Sequence, residues 1–440
     1  MRINKALAWL CAPILLAVSV LFPACDLSVE DSVTLTVGIF SGSNWDVPGA
    51  DNNRLYDEAF ERFEAENHGV KIVYRSGTLK EDYSEWLAQQ ILQGSTPDVF
   101  IVLPDDLNLF CSIGVLYNLD DLVESDATFM DASVYSAALE TGQWGEGQYT
   151  LPFELSPTMM FVNRTLLNEE GIPMPKNDWT WDDFYEICQQ VLKDTDNDGE
   201  FDQYGCYGFT WQHAVQTNGA ALFDDSGSQI KLVGDAVIQA TEFSRKLYQL
   251  QKDCEIAEED FDQGKVAFMP MLFSDYRTYK AYPYSLNKYS NFEWDCIPMP
   301  AGPSGNNATE LNALMFGINS DTKNIHEAWE LLKFLVLDEG VQRSIFQYSQ
   351  GVSVLSDIND SPEAFEYLAA GMQREDSVVD LKLVGEVIQE SSNIPKFRRY
   401  NEIIDLMSSN IHDIIQGQSN VYDSLLRLQR DMQKIGRAHV

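Results

Sequence analysis

The chain has 440 residues, of which 45% are hydrophobic and 12% aromatic, the composition of a folded globular protein. Its 68 acidic residues outnumber its 30 basic ones and give a formal charge of −38, which excludes non-specific nucleic-acid binding because that requires a basic face. The chain is longer than the length that one hydrophobic core typically supports, so two domains are expected.

The first residues predict an export signal. Two basic residues precede an apolar run over 6–22, and the small residue Ala24 stands directly before Cys25. This arrangement resembles the lipobox of bacterial lipoproteins, in which the cysteine becomes the lipid-bearing first residue of the mature chain. The alternatives are a plain signal peptide or an uncleaved anchor helix. We expect a lipoprotein signal over 1–24, then a tether over 25–32 that begins at the lipidated cysteine.

Strands and helices alternate after the tether, and two further helices follow late in the chain. The predicted strands are 33–40, 70–74 and 98–103, and the predicted helices are 53–67, 81–92, 326–337 and 400–435. This alternation predicts an α/β fold with a parallel sheet covered on both faces. Ligands of such sheets bind beyond the carboxyl ends of the strands, which draws attention to the loops after Phe40 and Leu103.

A capping box is predicted in the middle of the chain. The Thr180 side chain would cap a helix by accepting from the backbone amide of Asp183, at the third helical position. The Asp183 side chain would in turn accept from the backbone amide of Thr180. Trp179 and Trp181 flank this cap, and we interpret them as packing residues rather than ligand platforms, since Trp side chains are mostly buried.

The cysteines argue against a disulfide framework. Apart from Cys11 in the signal and the lipidation site Cys25, the chain has five scattered cysteines: Cys111, Cys188, Cys206, Cys254 and Cys296. An odd, dispersed set fits small buried hydrophobic side chains better than paired bridges.

Six short strings carry a resemblance to a known family. They are 63–72, Gly-x-x-Pro-Asp-Val at 94–99, 149–154 with 161–163, 179–184, 264–269 and 316–319. In this order and spacing they are similar to the family 1 extracellular solute-binding proteins, the maltose-binding-protein-like substrate receptors of bacterial ABC importers.

The resemblance implies an α/β, two-lobe periplasmic-binding-protein-like fold of class II with an interlobe hinge. The first lobe would comprise 33–152 and 298–351, and the second 153–297 and 352–440. A carbohydrate bound between the lobes would favour a closed form that the ABC permease recognises. The expected protein is a monomer on the extracytoplasmic face of the cell membrane, held there by its lipid, without enzymatic activity or a required cofactor.

Five candidate ligand-binding residues lie in the first lobe and the crossing segment. Asn44 and Trp45 follow the first strand, where Trp45 would either stack on a sugar or pack on the surface. Asp105 and Asp106 follow the third strand at positions that contact ligand in the maltose-binding relative, or else cap the next helix. Glu154 matches a ligand-contacting glutamate of that relative, and a carboxylate in an apolar stretch requires a partner.

Five more candidates come from the resemblance in later segments. Trp211 lies in an aromatic loop that matches a second-lobe contact region. Phe273 and Asp275 follow the string at 264–269, although relatives usually place small residues and a Trp there. Asn312 stands where Gly is common, and Tyr400 lies near a late aromatic contact.

An acidic loop resembles part of a calcium site. Positions 1, 3, 5 and 9 of a calcium loop are occupied by Asp194, Asp196, Asp198 and Asp202. Gly199 supplies the turn at position 6, but Gly205 stands at position 12, where a bidentate Glu would complete the shell. The alternatives are a structural calcium and an Asx-rich surface turn.

Two other functions stay open at this stage. A lipid-anchored glycoside-acting enzyme would use paired carboxylates, but 68 acidic residues make such pairs uninformative, and no elbow, zinc or P-loop motif is present. A surface adhesin would be expected to show repeats or an extended stalk, and neither appears. The ligand class is a monosaccharide or oligosaccharide, with an amino sugar or another cationic solute as the alternative.

Overall fold

The computed structural model describes most of the chain after the predicted tether. The described residues are 32–48, 52–75, 77–224, 229–281, 288–370, 379–391, 397 and 399–437. The predicted signal over 1–24 and the lipidation site Cys25 lie outside them. Within these ranges no helix combines the length and apolarity that a membrane crossing requires.

Eleven strands form the sheets of the described residues. They are β1 (Val33–Gly38), β2 (Val70–Arg75), β3 (Val99–Val102), β4 (Gln143–Trp144), β5 (Gly147–Gln148), β6 (Thr150–Asn163), β7 (Tyr204–Cys206), β8 (Val266–Leu272), β9 (Trp294–Ile297), β10 (Leu311–Ile318) and β11 (Val352–Ser353). The main path runs β2-β1-β3-β10-β6-β8-β7, with β9 and β11 paired to β6, and β4 and β5 form a separate hairpin.

Nineteen helices are present in the same part of the chain. They are α1 (Asn53–Glu66), α2 (Lys80–Gln93), α3 (Pro104–Ser112), α4 (Asp120–Ser125), α5 (Ala127–Met130), α6 (Ser136–Glu140), α7 (Arg164–Glu169), α8 (Trp181–Val191), α9 (Trp211–Thr217), α10 (Asp235–Gln251), α11 (Glu258–Asp262), α12 (Phe273–Lys280), α13 (Ile325–Leu337), α14 (Glu339–Tyr348), α15 (Ser356–Asn359), α16 (Pro362–Ala370), α17 (Leu381–Glu390), α18 (Tyr400–Gln416) and α19 (Val421–Arg437).

The strand β6 joins two lobes. All fourteen of its residues are buried. Its first part, up to Pro157, pairs with β10, whereas its second part, from Thr158, pairs with β8 and β9. Strand pairing therefore changes partner at Thr158, whereas the predicted lobe boundary followed residue 152.

The first three strands confirm the predicted parallel sheet. β1 pairs in parallel with both β2 and β3, and helices α1 and α2 connect them. Leu55, Ala59, Phe60 and Phe63 form the buried stripe of α1, because a spacing of three and four residues returns them to one face. The carboxyl ends of β1 and β3 consequently meet at one edge of this sheet.

The predicted capping box is confirmed at α8. The Thr180 hydroxyl accepts a hydrogen bond from the Asp183 amide, and the Asp183 carboxylate accepts one from the Thr180 amide. Trp179 and Trp181 are both buried, as the packing interpretation requires. The Trp179 indole donates to the carbonyl of Pro298 at 2.8 Å, and the Trp181 indole donates to the Thr217 hydroxyl at 3.1 Å.

The long helix predicted over 400–435 is divided into α18 and α19. α18 ends at Gln416, and the Gly417 amide donates to Asp413 in the preceding turn. Arg245 of α10 donates to the carbonyls of Ile414 and Ser419, which fixes the end of α18 and the turn that follows it. Exposed carbonyls at a helix end attract such cationic donors.

β11 and α17 lie against the first lobe, whereas the sequence assigned everything from 352 onward to the second. β11 pairs with Glu154 and Leu155 of β6, and α17 packs on α6. The buried face of α17, which includes Val384, Val387 and Ile388, is covered there. α18 and α19 instead pack on α10 of the second lobe.

Four of the five predicted core cysteines are buried. They are Cys111, Cys188, Cys206 and Cys296, and Cys254 is half-buried. Cys188, Cys206, Cys254 and Cys296 are free thiols. Burial raises the pKa of the Cys188, Cys254 and Cys296 thiols, which favours their neutral form.

Candidate functional site

A buried carboxylate organises the junction of the lobes. Glu154 is fully buried on β6 and accepts four hydrogen bonds. Its Oε1 accepts from the Trp45 indole at 2.7 Å, the Ser349 hydroxyl at 2.5 Å and the Gly351 amide at 2.7 Å. Its Oε2 accepts from the Asn44 amide side chain at 2.6 Å. We call Glu154 and these four donors the Glu154 hub.

The hub fixes the loop after β1. The Tyr56 hydroxyl donates to Asn44 Oδ1 at 3.1 Å, and Lys80 donates to the Asn44 carbonyl at 2.8 Å. Burial raises the pKa of Glu154, whereas the hydrogen bonds from Ser349, Asn44, Trp45 and Gly351 lower it. These bonds hold the carboxyl group in a place where burial alone would be costly.

Three of the candidate ligand residues are thus in contact with one another. Asn44, Trp45 and Glu154 direct polar atoms to each other rather than to an open space. Trp45 is 8% exposed, so in this conformation its ring offers little area to a ligand. Their role as direct ligand contacts stays a prediction, and the observed geometry gives them a positioning role.

The two aspartates after β3 have separate surroundings. Asp106 is half-buried in the first turn of α3 and accepts from the Ser84 hydroxyl at 2.6 Å. Burial and the charge of Asp105 raise the pKa of Asp106, and the Ser84 bond opposes that rise. Asp105 accepts from the Asn401 side chain at 3.3 Å and 3.4 Å. Since α3 belongs to the first lobe and α18 to the second, this contact joins the two lobes.

Tyr400 begins α18 beside that interlobe contact. Its ring lies 5.5 Å from Phe397 and 5.9 Å from Phe223, measured between centroids. Burial and the charge of Glu310 raise the pKa of the Tyr400 hydroxyl. Glu310 in turn accepts from the Gln216 side chain at 3.4 Å. We call these five residues the Tyr400 cluster.

The Tyr400 cluster combines two half-buried rings, Phe397 and Tyr400, and the buried ring of Phe223 with a carboxylate and an amide. Of its members the sequence predicted Tyr400 alone. Phe223, Phe397, Glu310 and Gln216 come from four separate segments, and no motif connects them. An aromatic residue at each of positions 397 and 400 was the only local signal that could have indicated this surface.

Trp211 packs in the second-lobe core rather than beside the first lobe. It is 7% exposed at the start of α9, whose Thr210 cap accepts from the His213 amide. It lines a cavity of about 720 Å³ bounded by α10 and α18. The neighbouring Gln212 donates to the Ser408 hydroxyl at 3.4 Å.

The candidates near the crossing are placed around β6. Phe273 is fully buried and stacks on Tyr276, with ring centroids 5.4 Å apart. Asn312 is half-exposed on β10, opposite Ser156. The backbone amide of Ser274 donates to the Ser156 hydroxyl at 3.0 Å, which connects α12 to the crossing strand.

Asp275 has a perturbed acidity that gives a measurable pH dependence. Burial raises its pKa from 3.8 to about 6, opposed by a bond from the Leu272 amide and by the charge of Lys288. The folded state therefore binds a proton more tightly than the unfolded state. This group makes no difference to stability below the unfolded pKa, and its ionisation lowers stability as pH rises toward about 6.

Asp275→Asn is accordingly expected to gain stability relative to the parent as pH rises from about 4 to about 6, by up to about 3 kcal/mol. Urea unfolding across this range measures it. Asp202→Asn is a control of opposite sign, because bonds from Thr195 lower the pKa of Asp202, so its contribution is present at higher pH and lost as pH falls. A difference that does not vary with pH for Asp275→Asn would contradict the assigned surroundings.

The acidic loop brings three of its carboxylates together. Side-chain oxygens of Asp194, Asp196 and Asp202 lie within 4.8 Å of one another. The Asp194 carboxylate also accepts from the amides of Asp198 and Gly199, at 3.2 Å and 2.8 Å. Asp198 is outside this group and accepts from the Glu200 amide at 2.8 Å. These backbone bonds are those of the Asx-rich turn, and the three carboxylates fit a hard cation such as calcium.

Comparison with known proteins agrees with this architecture. Residues 49–342 match the family described as bacterial extracellular solute-binding protein. A putative binding protein of Brucella abortus (strain 2308) is 23% identical over 395 residues, and the match covers 82% of this chain and 85% of that protein. An uncharacterised lipoprotein of Streptomyces antibioticus is 23% identical over 296 residues, and the match covers 62% of this chain and 61% of that protein.

Solved structures share the fold. The cyclic alpha-maltosyl-1,6-maltose binding protein of Arthrobacter globiformis has a TM-score of 0.73 and 17% identity, over 92% of this chain and 100% of that chain. The predicted two-lobe α/β class and the predicted family are thereby confirmed. The family match covers most of both lobes, and the chain belongs to the bacterial extracellular solute-binding proteins.

Proposed function

We propose that the solute is a carbohydrate held between the lobes and delivered to an ABC permease. The observation that carries this proposal is the Tyr400 cluster, which stands beside the Asp105–Asn401 contact between lobes. Aromatic faces suit the apolar faces of sugar rings, and carboxylates and amides suit their hydroxyls. The fold shared with a maltosyl-maltose binding protein adds support.

Capture is proposed to occur by closure of the lobes. The Asp105–Asn401 hydrogen bonds are long, at 3.3–3.4 Å between donor and acceptor, and therefore weak. They can be replaced by bonds to ligand or solvent at little cost. A ligand that contacts both Asp105 and the Tyr400 cluster would stabilise the closed arrangement by its differential affinity. The reaction is binding without chemical change, and a turnover assay on glycosides separates it from the enzyme alternative.

The location is proposed from the amino terminus. Cys25 would carry the lipid that holds a monomer on the extracytoplasmic face of the membrane, and a lipoprotein among the relatives supports this. Two or three acyl chains suffice for stable anchoring, since each buried methylene contributes about 0.8 kcal/mol. Mass spectrometry of the amino-terminal peptide tests the modification.

Tyr400→Ala is expected to weaken sugar binding about tenfold or more, which is about 1.4 kcal/mol. The loss arises because the ring supplies a stacking face in the cluster. A thermal-shift screen against a sugar library first identifies the ligand, and titration calorimetry then compares the variants. Tyr422→Ala is the matched control, since Tyr422 is 48% exposed on α19 of the same lobe. Equal affinities in both variants would remove Tyr400 from the site.

We propose a structural calcium in the loop of Asp194, Asp196 and Asp202. At a calcium concentration of 100 times Kd, binding to the folded state adds about 2.7 kcal/mol. Calcium is therefore expected to raise the melting temperature of the parent but not of Asp196→Asn. Asp253→Asn, which changes an exposed acid elsewhere in the second lobe, should respond like the parent. If the parent melts at the same temperature with calcium and with a chelator, the loop is only a turn.

A further inference from the structure

Arg277 connects the second lobe to a helix end of the first. It lies on α12, which directly follows β8, a second-lobe strand. Its guanidinium donates to the carbonyl of Phe346 at 2.8 Å and to the carbonyl of Gly351. It also lies 5.1 Å from the centre of the Phe346 ring. Phe346 is in the last turn of α14, which packs on α1 and α13 of the first lobe.

This guanidinium serves the carboxyl end of α14. Carbonyls in the last turn of a helix lack intrahelical partners and attract cations. Helices commonly meet this need from their own surroundings, as α18 does through Arg245 of the same lobe. α14 receives its donor from the opposite lobe, so the bond can persist only while the two lobes keep this orientation.

The Gly351 peptide connects Arg277 to the Glu154 hub. Its amide donates to Glu154 at 2.7 Å, and its carbonyl accepts from Arg277. A β-carbon at this position would lie 2.4 Å from Glu154 Oε1 and 2.7 Å from the carbonyl of Leu155, so only glycine fits. The chain of bonds therefore runs from α12 through one peptide to the carboxylate that holds the loop after β1.

The charges are consistent with this connection. Burial lowers the pKa of Arg277 to about 10, and the negative charge of Glu154 opposes the decrease. The guanidinium stays charged near neutral pH, and its partners here are carbonyls. Removing a guanidinium from water is costly, and hydrogen bonds from its N–H groups to nearby acceptors must offset that cost.

We propose that Arg277 is a positioning residue that sets the orientation of the two lobes through the Gly351 peptide and the Glu154 hub. The proposal rests on the proposed function in one respect, because it makes the lobe orientation relevant to ligand capture. Loss of the two carbonyl contacts releases α12 from α14, which shifts the lobes toward greater separation. The apparent affinity for a ligand that needs both lobes then falls in proportion to the fraction of molecules that remain closed.

Single-molecule fluorescence energy transfer on the full chain, without added sugar, tests this inference. The dyes are attached to non-natural residues with a keto group, which replace Gln89 of α2 and Glu242 of α10. Both positions are exposed. Arg277→Met is expected to shift the interlobe distances to longer values, and Arg277→Lys to give a smaller shift, because an ammonium keeps the charge but not the two-carbonyl geometry.

Arg245→Met is the matched control. It removes a guanidinium that also serves a helix end, but both partners of Arg245 are in the second lobe. It should lower the melting temperature and leave the interlobe distances unchanged. Distances in Arg277→Met that coincide with those of the parent would overturn the inference, and if that variant does not fold, unchanged distances in Arg277→Lys would do so. Because no sugar is present, this outcome is independent of whether the cleft binds carbohydrate.

Discussion

Glu154→Ala is expected to lower the free energy of unfolding by about 3–5 kcal/mol. The carboxylate is the common acceptor for the Trp45, Asn44, Ser349 and Gly351 donors, all within 2.7 Å. Its removal leaves buried donors without partners, each at a cost of about 1–3 kcal/mol. The costs do not sum in full, because the variant also avoids burying the carboxyl group. Urea unfolding measures the difference.

Two variants make this result specific to the hub. Glu154→Gln keeps the shape and one acceptor oxygen, so its effect should lie between those of the parent and the alanine variant. Glu64→Ala removes a first-lobe carboxylate that accepts from Ile72 and Lys71 near the surface, where the expected change is about 1 kcal/mol or less. A Glu154→Ala protein as stable as Glu64→Ala would show that the hub donors find other partners.

This prediction changes how binding data on Glu154 should be interpreted. The sequence placed Glu154 in direct contact with the ligand, and loss of binding in Glu154→Ala would agree with that. The same loss is expected if the hub only holds the loop after β1. Circular dichroism at the temperature of the binding assay distinguishes the two, since a direct contact can be removed without unfolding the chain.

Trp181→Ala is expected to lower the free energy of unfolding by about 3–5 kcal/mol, the range for a large aromatic side chain removed from a core. The Trp181 ring stacks on Phe243 with centroids 4.4 Å apart and an interplanar angle of 11°. Its indole also donates to Thr217, so the substitution removes both packing and a buried bond. Thermal and urea unfolding both measure the effect.

A half-buried tryptophan provides the comparison. Trp144 of β4 contacts Tyr149 at the first lobe, and its replacement by alanine should cost less because less apolar area returns to water. Sugar affinity per folded molecule should be unchanged in Trp181→Ala. Loss of affinity without loss of stability would identify Trp181 as a ligand platform instead of a packing residue.

Local elements were predictable because their signals lie within a few residues. The stripe of Leu55, Ala59, Phe60 and Phe63 fixed α1 to within a residue of its observed end. Thr180 and Asp183 located the start of α8 because a capping box closes within one turn. The order of the family strings also indicated a two-lobe fold, which the family match confirms.

The candidate site was predictable in part. The loops after β1 and β3 do meet at one sheet edge, as parallel strands require. The sequence could not show that Trp45 and Asn44 turn their polar atoms toward Glu154, since 109 residues or more separate these partners. Phe223 and Phe397 were overlooked for the same reason, because neither lies in a recognisable motif.

The sequence alone determined the alternation of strands and helices, the caps and the family, because periodicity and short strings are properties of neighbouring residues. Only the tertiary structure decided that Glu154 is a buried acceptor, that β11 and α17 rest on the first lobe and that Arg277 bridges the two. The physical reason is that a buried charge or polar group must be satisfied by whichever donors the fold brings within about 3 Å. That proximity is set by chain topology, which no local pattern encodes.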